Sequence, residues 1–171
     1  MDKKIACLII IFSVFFLSSC SLGGSRTNML DKMDDDKAAD ARLELVLEAI
    51  KNEDKDALES MFSQTALEET DDFDGSMEYL FSFFQGDVVS WERHGLSVGE
   101  TIDHGESTKR IYVYYNVNTN QQKYLMFFVQ WTVDTEHPEN VGIYALRVVK
   151  AEDEENLFCY YQDMEAGIFE Y

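Results

Sequence analysis

The 171-residue chain is poor in proline, cysteine and basic residues. It has one Pro, three Cys and nine Gly, whereas 46% of its residues are apolar and 13% are aromatic. The low proline and glycine content excludes collagen-like and low-complexity chains, and the apolar content is that of a globular protein. Only 14 Lys and Arg are set against 33 Asp and Glu, a formal net charge of −19. This charge excludes a protein that binds nucleic acid through a basic surface.

The first 19 residues have the pattern of a secretory signal peptide. Lys3 and Lys4 precede an apolar run from Ile5 to Leu17. The run is shorter than the roughly 20 residues that a membrane-spanning helix needs. We therefore expect residues 1–19 to be removed.

The end of this segment resembles the lipobox of bacterial lipoproteins. Leu17, Ser18 and Ser19 precede Cys20, in the order aliphatic, small, small, cysteine. The resemblance implies cleavage between Ser19 and Cys20 and acylation of Cys20. Acyl chains such as palmitate would then anchor the protein at the extracytoplasmic face of the cell membrane. The alternative is a general signal peptide with a cysteine near its end.

The three cysteines leave no intramolecular disulfide in the mature chain. Cys7 is lost with the signal peptide, Cys20 carries lipid, and Cys159 remains alone. A lone Cys159 is most simply a small buried apolar residue. A reactive or intermolecular thiol is the alternative.

The mature chain is more acidic than its precursor. The signal peptide holds two lysines and one aspartate, so its removal takes the net charge from −19 to −20. This charge repels anionic headgroups and steers a cationic partner toward the domain. The alternative is that the charge only keeps an exported domain soluble.

The rest of the chain is expected to form one tethered domain. Residues 20–30 comprise the lipidated cysteine and a small, polar, flexible tether. Residues 31–171 contain no internal repeat and no second linker. They are expected to fold as a single domain.

The first part of this domain has helical periodicity. Helices are expected from Asp34 to Ile50, as a short segment after Asn52-Glu53-Asp54, and over about 72–85, where Gly86 ends the last one. The residues expected to share a face of the first helix are Ala38, Ala41, Leu45 and Ala49, with Val46 and Ile50 at its edge.

The second part is typical of strands joined by short turns. Strands are expected at about 88–94, 96–102 (a weaker one), 108–118, 122–134, 141–150 and 157–162. Helices followed by a strand meander predict an α+β domain, with three N-terminal helices on an antiparallel sheet of five to six strands. The segment Tyr124–Val129 is apolar on both faces, so the helices would cover one side and curvature or a partner the other. A homodimer through the sheet is compatible with this pattern.

This order of elements resembles the cone fold, a cystatin-like roll, of nuclear transport factor two, ketosteroid isomerase and the SnoaL-type cyclases. Residues 38–62 are similar to the opening helix and acidic turn of that fold. The resemblance implies that the sheet is strongly curved and can enclose a pocket.

Several short segments resemble a family of Firmicutes lipoproteins described as domain of unknown function 5104. They are residues 79–86, 90–92, 133–136, 140–142, 161–164 and 166–168. The likeness covers almost the whole mature chain. It implies a fold and a cellular location, but no catalysed reaction.

Six polar or amphipathic residues lie among apolar neighbours and are candidates to line such a pocket. They are Trp91, Tyr112, Gln130, Trp131, Arg147 and Asp163. The alternatives are an ion pair across the sheet for Arg147 and a turn cap for Asp163. No spacing matches the catalytic pairs of the isomerase or cyclase branches.

The sequence predicts neither a metal site nor a cofactor. The calcium-like segment Asp71–Gly75 lacks the first and last ligands of a calcium loop. His94, His104 and His137 do not have the helical spacing of a zinc site. A phosphate-binding glycine loop and a nucleophile elbow are absent.

Three functions follow as hypotheses. The absence of a catalytic signature favours a non-catalytic lipoprotein that binds a small molecule or a protein. The charge suggests an immunity-type protein that neutralises a cationic toxin. The resemblance to the cone fold leaves an isomerase, dehydratase or cyclase as the third alternative.

Overall fold

A computed structural model of the protein describes the backbone of residues 23–153 and 165–169, with side chains in these ranges from Asp34 onward. The chain divides into two compact units, Met1–Ala38 and Ala39–Tyr171. The described residues form a mixed α+β structure in which helices precede a five-stranded sheet. This confirms the predicted fold class in its coarse form.

Four α-helices lie in the described residues, one more than predicted. They are α1 (Gly23–Asn52), α2 (Lys55–Glu59), α3 (Gln64–Glu69) and α4 (Phe73–Phe83). The helix missing from the prediction is α3. It has one buried residue, Ala66, and so shows no apolar periodicity.

The first helix begins earlier and buries a different face than predicted. It starts at Gly23 rather than Asp34 and so overlaps residues 23–30 of the predicted tether. Ala41 and Leu45 of the predicted face are exposed, and Leu45 is 50% accessible. The residues that α1 buries include Ala39, Leu43, Val46, Leu47, Ala49 and Ile50. The buried face carries four large apolar side chains and the predicted face only Leu45, so the buried face removes more apolar area from water.

Side-chain caps set the starts of the short helices. Asp54 accepts a hydrogen bond from the backbone of Ala57 at α2, and Ser63 accepts one from Ala66 at α3. Asp72 caps α4 in the same way. Each cap satisfies a backbone N–H that has no partner inside the helix.

The five strands lie in the sheet in chain order. They are β1 (Val88–Asp103), β2 (Glu106–Thr119), β3 (Lys123–Asp134), β4 (Gly142–Lys150) and β5 (Gly167–Phe169). The first four are antiparallel neighbours, whereas β5 is parallel to β4. The expectation of a purely antiparallel sheet was therefore wrong at this edge.

Two strand predictions differ from the structure. Residues 88–94 and 96–102 belong to one strand, β1. The pairing of β1 with β2 shifts register between Arg93 and Gly95 but continues on both sides of the shift. The strand β5 was not predicted, since three residues are too few for a periodic pattern. The strand expected at 157–162 lies outside the described residues.

The sheet has two apolar faces. The inner face packs with the helices in one core, to which β2 and β3 contribute Ile111, Val113, Tyr115, Val117, Tyr124, Met126 and Phe128. The outer face carries a second buried cluster of Leu125, Phe127, Val129, Ala145 and Val149. This alternation confirms that residues 124–129 are apolar on both sides.

Candidate functional site

Five of the six predicted pocket residues lie in the described part of the chain, on opposite faces of the sheet. The inner face carries Trp91 and Gln130, and the outer face carries Tyr112, Trp131 and Arg147. Asp163 lies outside the described residues. The structure therefore does not bring the set together in one pocket.

The inner face holds a polar cluster of Asp40, Arg93 and Tyr115. Oδ1 of Asp40 accepts hydrogen bonds from Arg93 Nη1 at 2.7 Å and from the Tyr115 hydroxyl at 2.9 Å. The ring of Trp91 meets Tyr115 edge to face, with centroids 5.7 Å apart. Burial and the bond to Asp40 raise the pKa of Tyr115 far above its ordinary value. Two donors thus hold the Asp40 carboxylate against the sheet.

Gln130 is part of a second polar contact on this face. Its Oε1 accepts a hydrogen bond from Arg42 Nε at 3.2 Å, and the residue is almost completely buried. Burial lowers the pKa of Arg42. The contact satisfies a buried amide and fixes α1 on the sheet.

A cleft of about 820 Å³ opens where the end of α3, the start of α4 and β5 meet. Its lining is mixed: carboxylates from Glu69, Asp71, Asp72 and Glu165, hydroxyls from Thr70, Ser76 and Tyr144, and apolar surface from Ala166, Ile168 and Phe169. No lysine, arginine or histidine is among these lining residues. We call it the acidic cleft.

The turn between α3 and α4 positions three of the carboxylates. Thr70 ends α3, with its hydroxyl donating to the carbonyl of Ala66 at 2.7 Å. Asp72 begins α4 and accepts from the backbone of Gly75 at 2.9 Å. Glu69 and Asp71 therefore flank a short, doubly capped turn.

Gly167 allows β5 to form the other wall. Its φ is +99°, and a Cβ at this position would collide with the side chain of Thr70. Only glycine accommodates both the positive φ and the close approach without strain. The parallel pairing of β5 with β4 then places Phe169 beside Arg147, whose guanidinium carbon lies 4.9 Å from the ring centroid.

Tyr144 connects the sheet to the cleft. It is the extra residue of a β4 bulge, since Val129 pairs with Ala145 and Gln130 pairs with Ile143. Its hydroxyl donates to Glu69 Oε2 at 2.7 Å. Burial and Glu69 raise the pKa of Tyr144, and the charge of Arg110 partly opposes this rise.

The acidic cleft is chemically suited to a cationic group. Carboxylates form charge-assisted hydrogen bonds with ammonium and guanidinium groups, and the faces of Tyr and Phe attract the same groups. A mixed polar and apolar cleft of this size can hold a side chain or a small molecule.

The sequence carried only part of the signal for this cleft. Asp71 and Asp72 belong to the calcium-like segment of the sequence. In the structure, Asp72 caps the start of α4. Glu69 and Glu165 come together only because β5 pairs with β4. No local pattern connects residues so far apart along the chain.

In the part of the chain that the structure describes, no group of three or more His, Cys, Asp or Glu side chains is arranged to hold a metal ion. None of the described helices has the length and apolar content needed to cross a membrane. Ser19, Cys20 and Cys159 lie outside the described residues.

Comparison with known proteins identifies one family. A family model described as "Domain of unknown function (DUF5104)" matches residues 45–151, which is more than half of the chain. The match includes the C-terminal end of α1, the next three helices and the first four strands. No curated protein matches the chain.

Proposed function

The chain belongs to the DUF5104 family, and from that premise we propose that it is a non-catalytic binding protein whose acidic cleft takes up a cationic group. The cation would belong to a small molecule or to a basic protein surface. The observation that carries this proposal is the cleft itself, whose described lining residues include four carboxylates and two aromatic side chains but no Lys, Arg or His.

The charge of the whole chain supports the same ligand class. A net charge of −19 creates a negative potential around the domain. Such a potential accelerates the approach of cations and repels anions. Local carboxylates in the cleft would then hold the cation that the long-range field attracts.

The cellular location of the protein is part of the proposal. The lipobox-like end of the signal peptide supports acylation of Cys20 and attachment to the extracytoplasmic face of the membrane. The proposed ligand would therefore be met outside the cytoplasm. The lipobox-like segment also supports a bacterial source, and the resemblance of short segments to Firmicutes lipoproteins supports a source in that group.

We also propose that the fold is a variant of the cone fold of nuclear transport factor two. Support comes from the order of elements, with helices packed against the inner face of a sheet whose first four strands form a meander. The parallel β5 is an addition at the edge of this meander.

A basic toxin is the specific partner that the immunity hypothesis would place on the cleft. A lysine or arginine side chain of such a toxin could reach the carboxylates of Glu69 and Asp71. This alternative predicts a neighbouring toxin gene and tight, salt-sensitive binding.

The inner face gives less support to an enzyme. The polar groups there have structural partners: Oδ1 of Asp40 accepts from Arg93 and Tyr115 and so links α1 to β1 and β2. We therefore rank a binding function above an isomerase, dehydratase or cyclase.

A labelled cationic peptide tests the proposed function. Pentalysine amide would be titrated into the full chain in detergent, with fluorescence anisotropy as the measurement. We expect saturable binding that weakens about tenfold or more between 50 and 200 mM salt. Binding no tighter than that of a penta-serine peptide would refute the proposal.

A further inference from the structure

Arg110 is held by aromatic side chains on the outer face of the sheet. Its guanidinium carbon lies 3.7 Å from the ring centroid of Trp131 and 5.9 Å from that of Tyr112. Its Nη1 donates a hydrogen bond to the Tyr112 hydroxyl at 2.9 Å. These contacts hold the guanidinium over the Trp131 ring.

The register of the sheet produces this arrangement. Arg110 pairs with Trp131 across β2 and β3, and Tyr112 lies two residues further along β2. Directly paired residues and residues two apart share one face of a sheet. All three side chains are half-buried, so each still reaches solvent.

Among the described residues, no carboxylate forms an ion pair with Arg110. Lys55 pairs with Glu78, and Arg93 pairs with Asp40. In a chain with 33 acidic and 14 basic residues, an arginine is easily matched with an acid. At Arg110 the neighbouring positions carry aromatic rings instead.

Of the residues that the structure describes, none fills the space beside Arg110 on the β1 side. Gly99 is its partner on β1, and Ser97 is the partner of Tyr112. A Cβ built on Gly99 would meet nothing within 4 Å. Small residues on the edge strand thus leave a path to the guanidinium and to the Tyr112 ring.

The donors that remain on Arg110 suit a carboxylate. One face of the guanidinium is stacked and Nη1 is bonded, which leaves the other N–H groups in the same plane. A carboxylate accepts two parallel bonds from such a fork, and the Tyr112 hydroxyl can donate a third. The net charge of −19 opposes polyanions such as nucleotides. A single carboxylate attached to an apolar or aromatic body therefore matches the site best.

We propose that Arg110, Trp131 and Tyr112 form a binding site for a ligand with one carboxylate group and an apolar body. The carboxylate can come from a small organic acid or from the C-terminus of a peptide. The site lies on the outer face of the sheet, and none of its three residues lines the acidic cleft, although the charge of Arg110 acts on Tyr144, which does.

Tryptophan fluorescence provides a direct test. The chain has two tryptophans, so W91F leaves Trp131 as the single reporter. The W91F chain in detergent would be titrated with phenylacetate, with the neutral isostere phenylacetamide, and with phenyl phosphate. We expect saturable quenching by phenylacetate, at least tenfold weaker binding of phenylacetamide, and no tighter binding of phenyl phosphate.

Variants show whether Arg110 carries the binding. In the W91F background, R110Q should abolish phenylacetate binding, and R110K should weaken it about tenfold because lysine lacks the planar fork. K123Q removes one positive charge at the start of β3 and should leave the affinity unchanged. Circular dichroism would check that each variant is folded, and R110K keeps the test valid if R110Q is not.

Two peptides distinguish the possible sources of the carboxylate. A short peptide ending in Phe with a free carboxylate and its amidated form would be compared with phenylacetate. Tighter binding of the free peptide assigns the site to peptide C-termini, and tighter binding of phenylacetate assigns it to small acids. Equal affinities of the parent and R110Q chains, or no binding of any carboxylate at 10 mM, would overturn the proposal.

Discussion

Gly142 lies directly against the backbone of Ser63. A Cβ at residue 142 would be 2.7 Å from the Ser63 nitrogen, and the φ of Gly142 is +136°. The next residue, Ile143, forms two backbone hydrogen bonds of 2.9 Å, accepting from Ser63 and donating to Met61. This contact joins the segment between α2 and α3 to β4.

Replacement of Gly142 by alanine should therefore destabilise the domain. Both the positive φ and the contact with a backbone atom oppose a side chain, so we expect a loss of about 2–4 kcal/mol in the free energy of unfolding. Urea unfolding of the full chain measures it. The matched control is G99A, which has open space for its Cβ and should change stability by less than about 1 kcal/mol. Equal effects of the two variants would contradict this account of the contact.

The bond between Tyr115 and Asp40 predicts a stability effect with a defined pH dependence. Y115F removes one hydrogen bond to the carboxylate and should cost about 1–2 kcal/mol at pH 7. The folded state raises the pKa of Tyr115, so the unfolded chain loses the tyrosine proton first as the pH rises above about 10. The stabilisation is complete below that pH and decreases above it.

Unfolding at pH 7 and pH 11 separates the two contributions. The parent chain should lose more stability than Y115F between these pH values, so that the gap between them narrows. A gap that stays constant or widens at alkaline pH would show that the Tyr115 pKa is not raised by folding.

The hydrogen bonds of Asp134 predict a stabilisation that is lost at acidic pH. Its carboxylate accepts hydrogen bonds from Asn140 Nδ2 and from the backbone of His137, each at 2.9 Å, and these bonds lower its pKa. The stabilisation is present above the unfolded pKa of about 4 and is lost as the pH falls through the lower folded value. D134N should be less stable than the parent at pH 7, and the difference should shrink toward pH 3.

The control for this substitution is D103N at the exposed end of β1. It removes the same charge from a residue that is far more accessible, so its effect should be small. A constant difference between D134N and the parent from pH 7 to pH 3 would exclude the proposed role of the carboxylate.

Because the proposed lipid anchor is on Cys20, replacement of this residue should change the location of the protein. C20S cannot be acylated, so labelled palmitate should no longer be incorporated and the protein should leave the membrane fraction after cleavage or remain as an uncleaved precursor. C159S is the matched control and should keep both the label and the membrane association. Loss of label in C159S instead of C20S would exclude the lipobox.

Sequence periodicity predicted the elements whose apolar residues are large and regularly spaced. The spacing of Phe73, Met77 and Leu80 identified α4, and the run at Tyr124–Val129 identified a strand covered on both faces. Periodicity did not predict elements that are short or that depend on a single contact. The helix α3 depends on the Ser63 cap, and β5 depends on the fit of Gly167 against Thr70.

The candidate site was less predictable than the fold, because it combines distant residues. Tyr112 and Trp131 were recognised as polar or amphipathic groups in an apolar setting, but the pattern did not show that Trp91 and Gln130 lie on the other face. Alternation gives the face of each residue only when the register is known, and bulges in β1, β3 and β4 change it. The carboxylates of the acidic cleft lie in turns and at element ends, where no periodicity exists.

The proposed role of the acidic cleft is to bind a cation locally, beyond the attraction of the total charge. Isothermal titration calorimetry with pentalysine amide would compare two variants that lose the same three charges: E69Q/D71N/E165Q in the cleft and E100Q/D103N/E106Q in the β1–β2 hairpin. We predict at least about tenfold weaker binding for the cleft variant and less than about threefold for the hairpin variant. Equal losses in the two variants would contradict the claim and assign the binding to net charge alone.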